Sequence, residues 1–233
     1  MELLRLGDAG WGDEMLRAAF MTLAVSLASF LLGILIGAAG AGAKLSQSRV
    51  LRIVADIYTT VVRGVPELLV IYLLFFGSSV AIMSVVRGLF GYEGYIELNA
   101  FTIGTLAVGL ISGAYSTEVI RGAFQSVPKG QTEAAVACGM SPWQRFHRIL
   151  LPLAARYALP GLGNVWQLTL KDTALISVTG LVELMRQAQV AAGATREPFV
   201  FFLTAAALYL VFTTVSTWGF QRAETYANRG TRR

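Results

Sequence analysis

Glu133-Ala134-Ala135-Val136-Ala137-Cys138-Gly139 is followed, after nine further residues, by Ile149-Leu150-Leu151-Pro152, and the rest of the chain is read outward from this stretch. The run Glu-Ala-Ala-Val-Ala favours helix, and Gly139 can take the left-handed conformation that closes one, so the spacing predicts a short helix from Thr132 to Cys138. Ser141 is placed as an N-cap with Pro142 at the first helical position, which predicts a second helix starting there. A helix-Gly-helix knob of this kind is small-sided and rigid, and suits insertion into a groove on another protein. The plain alternative is a surface loop between two membrane helices that happens to hold alanines. Seven specified residues at fixed spacing arise by chance with a probability of about 10⁻⁷ or less per start site, at roughly 5–10% usage per residue type.

The composition places that knob in a membrane protein: of 233 residues, 55% are hydrophobic and only 14% charged, against roughly 25% charged in a soluble domain. The one cysteine, Cys138, supports no disulfide framework. Met1 to Glu14 carries Glu2, Asp8, Asp13 and Glu14 against Arg5, so no cleaved targeting segment is expected. The net charge of +5 raises the question of nucleic acid, but the cations lie between apolar runs and are explained by membrane orientation. The partner these runs imply is lipid.

Apolar runs near the length of a crossing helix fall at about 16–42, 54–86, 98–120, 157–181 and 199–220, which predicts an all-α protein with five spans. The second run exceeds a single crossing, so either Pro66 kinks it or its last part, Val80 to Leu89, lies along the membrane surface. Lys44, Arg49 and Arg52 follow the first span; Arg121, Lys129, Arg145, Arg148 and Arg156 follow the third; Arg222, Arg229, Arg232 and Arg233 form the tail. The opposite segments set Arg87 against Glu93 and Glu97, and Arg186 and Arg196 against Glu183 and Glu197. The positive-inside rule therefore puts the amino terminus outside and the carboxyl terminus in the cytoplasm.

On these residues the chain resembles the permease subunits of ABC importers, and more closely their polar amino-acid branch. The resemblance rests further on Arg63-Gly64-Val65-Pro66-Glu67-Leu68, Gly113-Ala114-Tyr115, Thr117-Glu118, Arg121-Gly122-Ala123-Phe124, Val127-Pro128-Lys129-Gly130-Gln131, Arg156-Tyr157-Ala158-Leu159-Pro160, Trp166-Gln167 and Lys171-Asp172-Thr173-Ala174-Leu175. It implies one transmembrane permease domain over residues 1–233 with the type I ABC importer permease fold, in the bacterial inner membrane. It also implies that loop 121–156 contacts an ATPase, with Glu133, Ala134, Ala135, Gly139, Met140 and Ser141 as docking residues. One such chain cannot enclose a pathway. The implied partners are a second permease subunit, similar or identical, two copies of an ATP-binding cassette ATPase, and a periplasmic solute-binding protein. No GxxxxGK[ST] phosphate loop is present, so ATP belongs to the partner ATPase and this chain is expected to hold no cofactor and no catalytic centre. Within the branch, histidine, lysine-arginine-ornithine and opine permeases look most similar, with glutamine-type systems next.

Charge inside a membrane helix costs about 2.5–3.5 kcal/mol at its centre on insertion scales, so Glu67, Glu118, Asp172 and Lys171 each need a partner or a wet cavity. Arg63 and Glu67 are four apart and either neutralise each other or face the pathway. Glu118, three residues past Tyr115 among small residues, either pairs with Arg121 or meets the solute. Lys171 and Asp172 point apart, and Asp172 serves helix packing or solute. Trp166, Gln167, Thr169, Thr173 and Ser177 form a polar stripe for helix-helix hydrogen bonds or for lining a pathway. The candidate pathway residues are therefore Glu118, Glu67, Asp172, Tyr115 and Trp166, and the acids lean toward basic amino acids or their conjugates as solute. His147 reads as a surface residue, not a metal ligand. Gly33, Gly37, Gly40 and Gly42 read as a close-packing surface. A stand-alone secondary transporter would need an inverted repeat, and no self-similarity between halves is visible. A membrane anchor for a signalling partner explains the loop but leaves the intramembrane acids idle.

Overall fold

In the computed structural model, residues 2–7, 10–77 and 99–229 are described, and these are helical with no strand among them. After a 3₁₀ turn at Glu2–Leu4 come α1 (Gly12–Leu45) and α2 (Arg49–Gly64), then α3 (Glu67–Gly77). Beyond these lie α4 (Ala100–Gln125), α5 (Lys129–Ala137), α6 (Pro142–Arg145), α7 (Leu151–Asp172), α8 (Leu184–Thr195) and α9 (Pro198–Ala227). A π turn at Phe146–Leu150 and a 3₁₀ segment at Thr173–Thr179 flank α7.

The expected second span is two helices meeting at 110°. Pro66 has no N–H to donate and disfavours helical geometry in the residue before it. Val65 accordingly turns extended, at φ −105° and ψ 142°, and α2 stops. The surface segment expected at Val80 to Leu89, with Arg87, Glu93 and Glu97, lies outside the described residues, as do Arg232 and Arg233.

α1, α4 and α9 are long and apolar enough to cross a membrane, and the bent α2–α3 pair supplies a fourth candidate. α7 covers most of the expected fourth span but is not among these candidates. It carries Arg156, Asn164, Gln167, Lys171 and Asp172, which lower its apolarity. α8 matches no expected element.

α1 and α4 share the most extensive contact in the fold. It is close because α1 is thin where α4 crosses it: a Cβ on Gly33 would stand 2.5 Å from Ser112 Oγ, and Gly37 and Gly40 meet Ser116 and Thr117 in the same way. The expected close-packing surface is thus made by three glycines, while Gly42 faces open space. Apolar clusters bind the remaining helices: Met15, Leu184 and Phe201 join α1, α8 and α9, and Phe30, Val165 and Leu170 join α1 to α7.

Candidate functional site

The knob has the local structure its residues dictate. α5 ends on a Schellman motif, in which Met140 N–H reaches Ala135 C=O at 3.0 Å and Gly139 N–H reaches Val136 C=O at 2.9 Å, with Gly139 at φ +74°. Ser141 then opens α6 with a capping box: its hydroxyl accepts from Gln144 N–H at 3.3 Å, and Gln144 Oε1 accepts from Ser141 N–H at 3.0 Å. Pro142 holds the first helical position. α5 begins three residues before the expected Thr132. The π turn lets Leu151 N–H bond back to Phe146 C=O just before Pro152, which brings no N–H of its own. Phe124 stacks on Phe146 at 6.2 Å, fastening the end of α4 to the base of the knob.

Glu133, Ala134, Gly139 and Ser141 are exposed. Ala135, also expected at the docking surface, is buried, 4% exposed. Its burial follows from helical spacing, since the third residue of the Glu-Ala-Ala run turns inward. Trp143, unremarked in the sequence, is exposed, with His147 packed edge-on against it at 4.2 Å.

Glu118 is bound inside the chain. Arg121 donates to its Oε2 through Nε at 3.0 Å and Nη2 at 2.7 Å, and Lys44 donates to its Oε1. Lys44 also reaches Asp56 at 2.8 Å and Thr59 at 2.7 Å. The pairing expected with Arg121 is present, and α1 and α2 add partners that sequence spacing could not reveal. Lys44 in particular reads as an orientation charge in a loop, yet its side chain is only 8% exposed.

Tyr115 carries a second cluster. Its hydroxyl donates to Glu67 Oε1 at 3.2 Å, and the Arg63 guanidinium lies 5.3 Å from its ring centroid. Asp172, at the end of α7, is half-buried and makes no hydrogen bond or ion pair with this cluster among the described residues. The structure therefore brings two of the five candidate pathway residues, Glu67 and Tyr115, into direct contact. Of the two readings left open for Arg63 and Glu67, mutual pairing is not seen: the 110° bend between them breaks the helix face they would share, and both meet Tyr115. Trp166 joins an apolar cluster, edge-on to Phe30 at 5.4 Å. Of the polar stripe, Thr169 donates to Ser112 on α4 at 3.0 Å and Gln167 to Thr217 on α9 at 3.2 Å, so it serves helix-helix hydrogen bonding. Lys171 is exposed beside a cavity of about 680 Å³ between α7, α8 and α9.

Sequence reading also missed Glu183, counted there as a loop charge. It is fully buried and caps α8, accepting from Arg186 N–H at 2.7 Å and Met185 N–H at 2.9 Å. Tyr209 of α9 donates to it at 3.3 Å and Thr22 of α1 at 3.4 Å.

The family model for binding-protein-dependent transport system inner membrane components matches residues 29–224, a span that takes in both clusters and the whole knob. The chain belongs to this family. It is a permease component of an ABC importer, and such components are not enzymes. The nopaline transport system permease protein NocQ of Agrobacterium fabrum is 56% identical over 232 residues, covering 100% of this chain and 98% of NocQ. The histidine/lysine/arginine/ornithine transport system permease protein HisQ of Salmonella typhimurium is 46% identical over 207 residues, covering 89% of this chain and 90% of HisQ. Among solved structures, one described as an amino acid ABC transporter with histidines superposes with a TM-score of 0.79 at 30% identity, over 93% of this chain and 95% of the other.

Proposed function

We propose that this permease moves basic amino acids or opines into the cytoplasm, as one of two permease chains driven by a pair of ATPase subunits and supplied by a periplasmic solute-binding protein. Five spans, formed by α1, the bent α2–α3 pair, α4, α7 and α9, carry the chain from an outside amino terminus to a cytoplasmic carboxyl terminus. Loop 121–156 is the coupling element, with Glu133, Ala134, Ala135, Gly139, Met140 and Ser141 as its docking residues. Its support is the Schellman-closed, capping-box-opened knob with Glu133 exposed. A hinge locked at both helix ends transmits a rigid-body push, so closure of the ATPase pair would draw two such knobs together and turn the pathway outward.

The solute class rests on one observation above the rest, the Glu67 carboxylate held by the Tyr115 hydroxyl at the break of the second span, with Asp172 as a further acid at the end of α7. Two carboxylates in a membrane interior favour a cation that replaces their lost water. The names of the similar permeases, which concern nopaline and histidine, lysine, arginine and ornithine, point the same way. Glu118 drops behind this pair because Lys44 and Arg121 already satisfy both of its oxygens. The test is ATP-driven uptake in proteoliposomes holding the assembled importer with its binding protein: arginine accumulates faster than glutamine, and Glu67→Gln with Asp172→Asn erases the difference. Glutamine transported as well as arginine by the unmodified complex would overturn the basic-solute reading.

A further inference from the structure

α1 and α7 face each other across a gap that the fold leaves open. It is a groove of about 580 Å³ between α1, α4 and α7, and no polar side chain lines it. Ala38, Ala41 and Gly42 form one wall and Ala154, Ala155 and Ala158 the other. Small residues usually let helices close on each other, as Gly33, Gly37 and Gly40 do against α4. Here they do not: a Cβ on Gly42 would meet nothing within 4 Å. An empty apolar gap forfeits dispersion contacts along both walls, so in a membrane it takes up hydrocarbon and excludes water and polar solute.

The groove is long, and its two ends differ. Its α1 wall runs from Ile34 to Leu45, about 16 Å at helical rise, which suits an extended hydrocarbon chain lying along the helices. Phe124 and Phe146, the stacked pair at the base of the knob, line the other end of this run. Arg145 and Arg148 lie beside Phe146 in sequence, and among the described residues neither guanidinium forms an ion pair or a hydrogen bond. Arg148 precedes Leu151 and Ala155 by one and two helical turns, which puts it on the same face as these two lining residues. Against these cations, loop 121–156 has Glu133 as its one acid, on α5. An apolar slot ending beside two unpaired cations matches a molecule with a long apolar tail and an anionic head.

We propose that the groove between α1, α4 and α7 holds an acyl chain of an anionic phospholipid from the cytoplasmic leaflet, with its phosphate on Arg145 and Arg148. The choice of leaflet rests on the cytoplasmic placement of loop 121–156 proposed above, which topology reporters test separately. Because Phe146 both lines the groove and stacks on Phe124, the lipid bears on the base of the coupling knob.

The test is native mass spectrometry of the purified permease–ATPase complex, equilibrated in detergent with equal amounts of phosphatidylglycerol and phosphatidylcholine, counting the lipids that stay bound per assembled complex. The unmodified complex should retain phosphatidylglycerol over phosphatidylcholine by about tenfold, a scale that two cations near a lipid surface can supply. Gly42→Leu fills the groove from a position with room for a side chain, and Ala155→Leu fills it from the opposite wall. Each should lower the phosphatidylglycerol count while the second permease chain and the ATPase stay attached. Arg145→Gln combined with Arg148→Gln should bring phosphatidylglycerol down to the phosphatidylcholine level. An unmodified complex without the preference, an unchanged count in both filled variants, or a preference that survives the arginine changes would overturn the assignment. Loss of the second permease chain from both filled variants would give the groove to a protein partner and overturn it as well. None of these outcomes depends on which solute is carried.

Discussion

Lys44 and Glu118 show how much a single residue's neighbours decide. A carboxylate with both oxygens engaged by Lys44 and Arg121 is a tie between helices. Glu118→Gln should therefore reduce assembled complex and uptake of arginine and glutamine alike, measured by quantitative immunoblotting and transport per complex; selective loss of arginine uptake would return Glu118 to the pathway. Lys44→Met should be worse still, because it removes the cation that Asp56 and Glu118 share and leaves Glu118 with Arg121 alone. That should register as a lower midpoint in thermal aggregation of the detergent-purified complex. Glu67 and Glu118 were legible in the sequence, since charge in an apolar run stands out. Their partners were not, because Lys44 and Glu118 lie 74 residues apart and only the packing of α1 against α4 joins them.

Among the elements, the knob was the most legible because its determinants are local: one glycine, one cap and one proline set its two helix ends. The bent second span and α8 were less so. Pro66 announced a break, but the 110° angle depends on what α2 and α3 pack against. α8 is capped by Glu183, whose burial comes from helices far away in sequence. Gly139 offers a clean test at this scale, since a Cβ there would meet nothing within 4 Å and only the positive φ restricts it. Gly139→Val should cost about 1–2 kcal/mol of turn stability and weaken ATPase co-purification, whereas Gly139→Asn, a residue tolerant of this conformation, should keep most of it. Equal behaviour of the two variants would mean that the left-handed turn is not what positions the knob. Along α1, Gly33→Leu should separate α1 from α4, since even a Cβ comes 2.5 Å from Ser112 Oγ, and should abolish accumulation of the folded chain in membranes.

For the whole molecule, orientation is the property on which the proposed mechanism depends, because a coupling knob outside the cell meets no ATP. Topology reporters fused after Lys44 or Gly130 should report cytoplasm, and one after Gly193 should report the outside. An exported reporter at Gly130 would end the mechanism proposed above. The family and its helical architecture were legible from motifs and apolar runs, while the crossing count is harder to read. α7 gives up apolarity to carry Gln167, Lys171 and Asp172, so it resembles a buried helix more than a lipid-facing one.

The buried cap at Glu183 bears on biogenesis. Its carboxylate draws on Thr22, made before it in translation, and on Tyr209, made after it. While the nascent chain waits for α9, a carboxylate destined for full burial stands without its final hydroxyl partner, in an intermediate that membrane quality-control proteases can recognise. Chains ended before Pro198 should therefore be cleared within minutes of synthesis in a pulse-chase experiment, and Tyr209→Phe should lengthen the interval during which the full-length chain remains protease-sensitive.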